Sequence, residues 1–397
     1  MNPFLKSKIN FHYLLSMVAL LLIHNYNFKP DVITPSTIIT DGFSIPNFIE
    51  ILFSNSLLRF RMGLLMAISG YLMANSVYSS YVELFTKKVK SLVLPYFLVS
   101  IIGLMITFLF EMLILGTNNH ENIGLLGKSI WHLSAHDFYY FLVVAPVPFQ
   151  LWYLKTIFLL ALVSPIVRIV LTKFPIAALG TFFFIWMFTN YIDGETKDRA
   201  FIFYFIGFYL NIKKIDVLQP FKNFKPSTAL ALFVVIGFVR ASLEFVVLPS
   251  MRHQKYILTV LFKTNELLGV YGVWFCFDSV VVKVTDLNWY KKLGTCSFFI
   301  YAFHAPLMTF TSVYCAYKGF YTLPNAHLIL YIGLPLMTFT TLVLLDKLVK
   351  SHFTRFYLLL TGGRGVAGFT TTPATFKFKM PQFNFGFHHS MQQLAHA

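Results

Sequence analysis

The stretch SLVLPYFLVSIIGLMITFLFEMLIL, residues 91–115, contains a single charged residue, Glu111, and is long enough to cross a lipid bilayer as one helix. A spanning helix needs about 20 mainly apolar residues, and by this criterion we predict about ten such helices in the chain. The predicted spans are 11–28, 52–76, 91–115, 149–170, 175–191, 200–212, 226–248, 256–282, 294–317 and 327–348. The predicted fold is therefore an all-α polytopic membrane protein.

The composition supports this fold class. Of the 397 residues, 57% are hydrophobic and only 12% are charged, and the mean hydropathy is +0.67. An ordinary soluble domain is about 25% charged. The composition excludes a disordered chain and argues against a water-soluble enzyme, and the spread of apolar runs along the chain excludes a single membrane anchor.

The charge is strongly basic, with 32 Lys and Arg against 16 Asp and Glu, a net charge of +16. In a membrane chain the basic residues are topology signals, since they concentrate in cytoplasmic loops. More than half of them fall in inner loops if the N-terminus lies inside. We therefore predict N-in, C-in topology, a transmembrane domain over residues 1–355, a disordered cytoplasmic tail over 356–397 and no nucleic-acid partner.

Ionisable residues inside the predicted spans are candidates for function, because a charge within the membrane is costly and usually faces the bundle interior. Five basic residues lie in or at the edge of the spans: Arg59, Arg61, Lys155, Arg240 and Lys263. With the N-terminus inside, all five fall in the outward half of the bilayer. His24, about 20 Å along the first span at 1.5 Å per residue, falls at a similar depth.

Each of these charges also has a structural interpretation. Arg240 and Glu244 are four residues apart and could pair on one helix face. Lys263 and Glu266, three apart, could do the same. Arg59 and Lys155 could extend to the outer membrane interface. The sequence leaves both interpretations open.

Five strings in the chain resemble the acyltransferase-three family of bacterial integral membrane acyltransferases, and the resemblance covers about residues 8–350. They are MGLLMAISGYLM at 62–73, KKVKSLVLPYFL at 87–98, LWYLKTIF at 151–158, FIFYFIGFYL at 201–210 and SFFIYAFHAPLM at 297–308. Each string alone is common in apolar helices. Together, in this order on a basic chain of about ten spans, they are specific.

The resemblance implies an enzyme of the bacterial inner membrane that takes an acyl group, usually acetyl, from cytoplasmic acyl-CoA. The acceptor it implies is a sugar hydroxyl of a cell-envelope polysaccharide or a lipid-linked saccharide. His24 matches the family's general base, and Arg59 matches an arginine found ahead of the Ser-Gly string. With Arg61 these form the predicted catalytic set. We expect acyl-CoA as a substrate, no tightly bound cofactor and no metal.

The resemblance also implies binding residues and shows departures from the family pattern. Tyr13 stands where much of the family has an arginine eleven residues before the histidine. The predicted donor-binding residues are Lys87, Lys88 and Lys90, where the family often has arginines; lysine meets phosphate as a point charge rather than as a bidentate fork. The predicted substrate-binding residues are Trp152, Tyr153, Lys155, Glu266 and His304.

The chemistry fits this set of residues, because O-acyl transfer from a thioester needs a base for the hydroxyl proton and donors for the developing oxyanion. Two other functions remain open at the level of sequence. A transporter or flippase of a saccharide precursor would also carry buried charges in about ten helices. A sensor that binds acyl-CoA without catalysis would fit Tyr13 and the lysine substitutions.

Overall fold

The computed structural model of the protein describes residues 1–24, 43–76, 78–112, 133–188, 199–246, 252–320 and 326–365. Helices make up nearly all of these ranges, and no strand occurs in them. The α-helices are α1 Pro3–His24, α2 Ile45–Ile51, α3 Phe60–Ala74, α4 Tyr81–Lys88, α5 Leu94–Phe110, α6 Ala135–Tyr139, α7 Trp152–Leu162, α8 Ser164–Lys173, α9 Pro175–Phe188, α10 Arg199–Ile212, α11 Pro226–Val246, α12 Arg252–Cys276, α13 Asp278–Val284, α14 Asn288–Gly294, α15 Ser297–Tyr317, α16 Ala326–His352 and α17 Thr354–Thr361.

Length and apolar composition identify five helical stretches in the described residues that can cross a membrane, or up to nine if each of four bent helix pairs is one span. The prediction of an all-α polytopic membrane protein is confirmed. The five are Pro3–His24, Ile45–Ala74, Tyr81–Phe110, Pro226–Val246 and Leu328–His352. Phe201–Ile212 is a further, shorter apolar helix.

Four helix pairs in the described residues are bent, and the break between α12 and α13 divides the predicted span 256–282. The sharpest bend, 115°, separates α8 from α9. It falls at Phe174, directly before Pro175, because the residue before a proline disfavours helical backbone. The bend between α14 and the first part of α15 is 61°. A hydropathy pattern detects the apolar length of such a span but carries no signal for the direction in which each half runs.

Two glycines let α3 and α10 approach each other backbone to backbone. A Cβ atom at Gly70 would overlap the carbonyl oxygen of Tyr204, and one at Gly207 would overlap the carbonyl oxygen of Ala67. Small residues permit this kind of close helix packing within a membrane. The contact places α3, which carries Arg61, in a fixed position near the centre of the bundle.

Helix α1 lies inside the bundle and contacts α3, α15 and α16. Its N-terminal part is held by Lys8, whose fully buried ammonium is 2.6 Å from Asp278 Oδ1. Lys8 also lies over the ring of Trp274. Lys8 therefore lies within a helix, in a buried ion pair.

The C-terminal boundary lies further along the chain than predicted. Residues 356–361 continue helix α17 instead of starting a disordered tail, and Tyr357 and Leu360 of this helix are buried. Described structure continues to Gly365, while the rest of the predicted tail, residues 366–397, lies outside the described residues. The apolar residues at 357–360 supply the side chains that this helix buries.

Candidate active site

Two histidines from distant parts of the chain meet at the centre of the candidate site. His24, the last residue of α1, places its Nδ1 atom 2.9 Å from Nε2 of His304 in α15. Their ring centroids are 5.0 Å apart. His304 is fully buried and His24 partly so. The structure thus brings together the predicted base and a residue that the sequence assigned only to substrate binding.

The hydrogen bonds of His304 fix the tautomers of both rings. His304 Nδ1 lies 3.0 Å from the carbonyl oxygen of Ile300 and 2.9 Å from that of Tyr301. Carbonyl oxygens only accept, so Nδ1 carries the proton and the neutral ring has its lone pair on Nε2. His24 Nδ1 must then donate to that lone pair. In neutral His24 this leaves Nε2 as the basic nitrogen.

A proline and a glutamine hold the segment of α15 that presents His304. Pro306 has no backbone N–H and cannot bond the carbonyl group of Ala302, four residues earlier. Gln150 Nε2 donates to this carbonyl oxygen at 2.8 Å and to that of Tyr301 at 3.1 Å. Tyr301 Oη donates in return to the Gln150 carbonyl oxygen at 2.6 Å. These bonds hold the part of α15 that carries His304 against the segment that carries Gln150. None of them involves an acidic residue.

The segment that holds Gln150 also contacts His24 directly. It is a short 3₁₀ helix, Phe149–Leu151, just before α7. The ring centroid of Phe149 lies 4.8 Å from that of His24. His24 is therefore enclosed between an aromatic ring and its histidine partner, which restricts the directions in which its imidazole can turn.

Arg61, in the first turn of α3, is a buried guanidinium beside this pair. It is only 5% exposed, and its Nε has no hydrogen-bond partner in the described part of the chain. It lies within electrostatic range of His24, His304 and Glu266. A buried cation is costly unless something compensates it. An anionic or polarised ligand beside His24 would provide that compensation.

Arg59 has a different environment. Its Nε donates to the carbonyl oxygen of Ser54 at 2.7 Å, and its Nη2 donates to Asn55 Oδ1 at 2.7 Å. Both acceptors belong to a π-helical segment, Leu52–Leu57. Ser54 Oγ in turn donates to the carbonyl oxygen of Leu22, two residues before His24, at 3.1 Å. Arg59 thus braces the end of α1, within electrostatic range of His24.

Two other cations within the predicted spans, Arg240 and Lys263, bind oxygen atoms of neighbouring residues. Arg240 Nη2 lies 3.3 Å from Glu244 Oε2, which confirms the pairing on one helix face, and Arg240 also donates to the carbonyl oxygen of Asn55. Lys263 donates to the carbonyl oxygen of Trp186 at the C-terminal end of α9. A cation is favourable at a helix C-terminus. These contacts of the two side chains do not include His24 or His304.

The predicted binding residues of α7 lie on different faces of that helix. Tyr153 Oη lies 2.8 Å from Ser69 Oγ, and its ring meets that of Tyr301 at 5.9 Å. Trp152 is half-buried, with its ring 6.3 Å from that of Tyr153. Lys155 is exposed and lies on the outer surface of the bundle. The structure therefore joins Tyr153 to the interior and leaves Lys155 outside it.

The predicted donor-binding lysines lie at the junction of α4 and the π-helical segment Val89–Val93. Lys87 is exposed and pairs with Glu83, with Nζ 2.5 Å from Oε1. Lys88 is half-buried and Lys90 is exposed. They form a basic rim at one end of the bundle, on the side that the topology prediction assigns to the cytoplasm.

The sequence did not identify the roles of Gln150 or Arg364. Arg364 follows α17 in the string GGRG, and its Nη1 donates to the carbonyl oxygen of Ser91 at 2.9 Å. It lies within electrostatic range of Tyr13, Tyr153 and Tyr301. Its three flanking glycines, all with positive φ, are the signal that the string forms a specific turn.

The fold and this buried polar cluster define a multi-pass helical membrane protein with the groups needed for general base chemistry. A family model described as an acyltransferase domain matches residues 14–346, and the chain belongs to this acyltransferase-3 family. It is a membrane acyltransferase by family. No curated protein and no solved structure matches the chain.

Proposed function

We propose that the protein is an O-acyltransferase that moves an acyl group from acyl-CoA to a hydroxyl of a cell-envelope polysaccharide or a lipid-linked saccharide. The observation that carries this proposal is the His24–His304 pair, which leaves one basic nitrogen free beside the buried guanidinium of Arg61. The family match supports acyl transfer as the reaction class.

In the proposed reaction, His24 Nε2 accepts the proton of the sugar hydroxyl as the hydroxyl oxygen attacks the thioester carbonyl carbon. The new C–O bond forms, the C–S bond breaks, and the CoA sulfur leaves with the proton returned by His24. His304 Nε2 accepts a hydrogen bond from His24 Nδ1 throughout, so it orients the base and stabilises the transient imidazolium. General base catalysis contributes about 10²–10⁴-fold to such a rate.

Arg61 is the proposed partner of the oxyanion that develops on the thioester oxygen. A fixed cation in a site shielded from water stabilises this charge more strongly than it would in water. Glu266, buried and within electrostatic range, keeps the guanidinium oriented before substrate arrives. Arg59 assists by holding the end of α1, where His24 lies.

The proposed donor is acetyl-CoA, which approaches from the cytoplasmic side of the inner membrane, where Lys87, Lys88 and Lys90 form the basic rim. Trp152 and Tyr153 flank the proposed path of the substrates between this rim and the histidine pair. The saccharide acceptor reaches His24 from the opposite side of the bilayer. This two-sided approach matches a reaction that joins a cytoplasmic donor to an envelope glycan.

Mass spectrometry of envelope glycans from cells with and without the protein tests the proposal. We expect glycan species heavier by one acyl group, with the mass of an acetyl group if acetyl-CoA is the donor, only in cells that contain the protein. Unmodified glycans in both cells, together with loss of a saccharide from the outer surface in cells without the protein, would contradict acyl transfer and favour a flippase.

A further inference from the structure

The string GGRG at 362–365 forms a turn that only glycines permit. Gly362, Gly363 and Gly365 have φ angles of 61°, 82° and 85°, in the region that side chains disfavour. A Cβ atom at Gly362 would lie 2.5 Å from the carbonyl oxygen of Ser91, and one at Gly365 would lie 2.6 Å from Tyr357 Oη. The turn therefore rests directly on the helical bundle.

The helix before this turn is anchored through a buried carboxylate. Tyr357 Oη donates to Asp346 Oδ1 at 2.8 Å, and Cys296 Sγ donates to Asp346 Oδ2 at 3.0 Å. Lys350 Nζ lies 2.6 Å from the same Oδ2. The network joins α16, α17 and the residue directly before α15, so the helical bundle holds the helix that carries the turn.

The turn carries one charged side chain, that of Arg364, which lies against the helical bundle. Its Nη1 donates to the carbonyl oxygens of Ser91, at 2.9 Å, and Thr361, at 3.0 Å, and its Cζ lies 4.7 Å from the ring centroid of Phe298. Within the described residues no carboxylate pairs with it. A guanidinium has five N–H donors, and those on Nε and Nη2 have no hydrogen-bond acceptor in that part of the chain.

These free donors are close to the polar interior of the bundle. Arg364 is within electrostatic range of Tyr13, Tyr153 and Tyr301. Tyr301 supplies a carbonyl oxygen to His304 Nδ1. Tyr13 precedes His24 by eleven residues on α1, about 16 Å at 1.5 Å per residue. Tyr13 and Tyr301 thus lie near Arg364 and on the same helices as His24 and His304.

We propose that Arg364 binds a phosphate group of acyl-CoA, an inference that rests on the proposed function. Acyl-CoA carries its thioester at one end of a long flexible pantetheine arm and its phosphates at the other. With the thioester at His24, the arm lies along the tyrosines and the phosphates reach the free N–H groups of Arg364. A guanidinium is well suited to this task, because its planar donors match phosphate oxygens in pairs.

Calorimetric titration of the purified full-length protein with CoA, and separately with S-acetyl-pantetheine, tests the inference. The variants are Arg364→Gln, Arg364→Lys and, as a matched control, Arg355→Gln, which alters an exposed arginine of the same C-terminal region. We expect Arg364→Gln to weaken CoA binding by about tenfold to a hundredfold, as for the loss of charged hydrogen bonds. Arg364→Lys should recover part of the affinity, and Arg355→Gln should bind like the wild type.

S-acetyl-pantetheine lacks the phosphates, so its affinity should be the same for wild type and Arg364→Gln. An Arg364→Gln protein that keeps wild-type affinity for CoA, or loses both ligands equally, would overturn the inference. Acyl transfer is measured on the same samples. If CoA binding depends on Arg364 but no glycan is acylated, the role of Arg364 is supported and the proposed function is contradicted. If glycans are acylated and Arg364→Gln keeps its CoA affinity, the proposed function is supported and the role of Arg364 is contradicted. Absence of CoA binding in the wild type would overturn both.

Discussion

His304 has two carbonyl acceptors at Nδ1 and an imidazole at Nε2, and this pattern decides which nitrogen of His24 is free for the proposed catalysis. The chain uses backbone carbonyl groups in the place where many hydrolases use a carboxylate to orient the base. Such a partner gives orientation without adding a negative charge inside the membrane, where an isolated charge is costly.

Substitution of His304 tests this orientation. His304→Gln keeps an acceptor and a donor on its side chain, while His304→Leu keeps neither. We expect turnover to fall in both variants and to stay clearly higher in His304→Gln, because its amide oxygen can still accept from His24 Nδ1–H. The measurement is the rate of acyl transfer per amount of folded protein. Equal rates in the two variants would show that the hydrogen bond to His24 is not used.

Substitution of Arg61 is predicted to affect turnover and thermal stability differently. Arg61→Met removes a buried charge whose Nε has no hydrogen-bond partner in the described chain, and burial of a charge that is incompletely compensated is costly. We expect the Tm to stay the same or rise, while turnover falls by about 10²–10³-fold, the cost of losing an oxyanion donor.

The control for this prediction is Arg240→Met, which removes a guanidinium that pairs with Glu244 and bonds the π-helical segment. That variant should lose thermal stability. Normal turnover in Arg61→Met, or a fall in its Tm as large as that of the control, would place Arg61 among the structural cations.

The sequence identified several residues of the site but not their arrangement. His24 and Arg61 could be found because a charged or polar side chain stands out in an apolar run. Gln150 could not, because its role is to bond a carbonyl group freed by a proline about 150 residues away, and no local pattern shows this. Arg364 was not identified as part of the site because the sequence around it resembles a flexible tail. In the structure, its neighbouring glycines have positive φ and form a defined turn.

At the scale of elements, the breaks in the helices shape the site as much as the helices do. The 3₁₀ helix Phe149–Leu151 places one residue against His24 and another against α15. The π-helical segment Leu52–Leu57 binds Arg59 and the end of α1. Hydropathy predicted most of the spans, but these breaks depend on contacts between distant segments, so the sequence pattern could not show them.

The close contact between α3 and α10 gives a prediction on stability. Gly207→Ala places a Cβ atom onto the carbonyl oxygen of Ala67. We expect it to lower the free energy of unfolding by about 1–3 kcal/mol or more, as overpacking does. The matched control is Gly333→Ala in α16, where an added Cβ atom meets nothing within 4 Å. Thermal unfolding in detergent measures both, and equal Tm values would show that the two helices are further apart than described.

For the whole molecule, the distribution of basic residues predicts the orientation in the membrane, and this orientation gives the side on which each part of the site lies. The net charge of +16 and its concentration in alternate loops predict both termini in the cytoplasm. With that orientation, the basic rim at Lys87 and the turn at Arg364 face the cytoplasm, and His24 lies toward the outer half. In the proposed reaction, this orientation sets the side from which each substrate arrives.

A reporter fused to the C-terminus checks this orientation. A green fluorescent protein should fluoresce there, because it folds in the cytoplasm, and an alkaline phosphatase at the same position should be inactive. The reversed pair, with active phosphatase and no fluorescence, would place the C-terminus outside and put the basic rim on the wrong side for cytoplasmic acyl-CoA.

The role of His24 as the general base is tested by the mass spectrum of envelope glycans from cells that produce His24→Ala at wild-type levels in the membrane. The control is His352→Ala, which removes an exposed histidine at the end of α16. We predict that the control keeps the mass increment of the acyl group and that His24→Ala loses it. A full acyl increment in the His24→Ala cells would contradict the assignment of His24 as the general base.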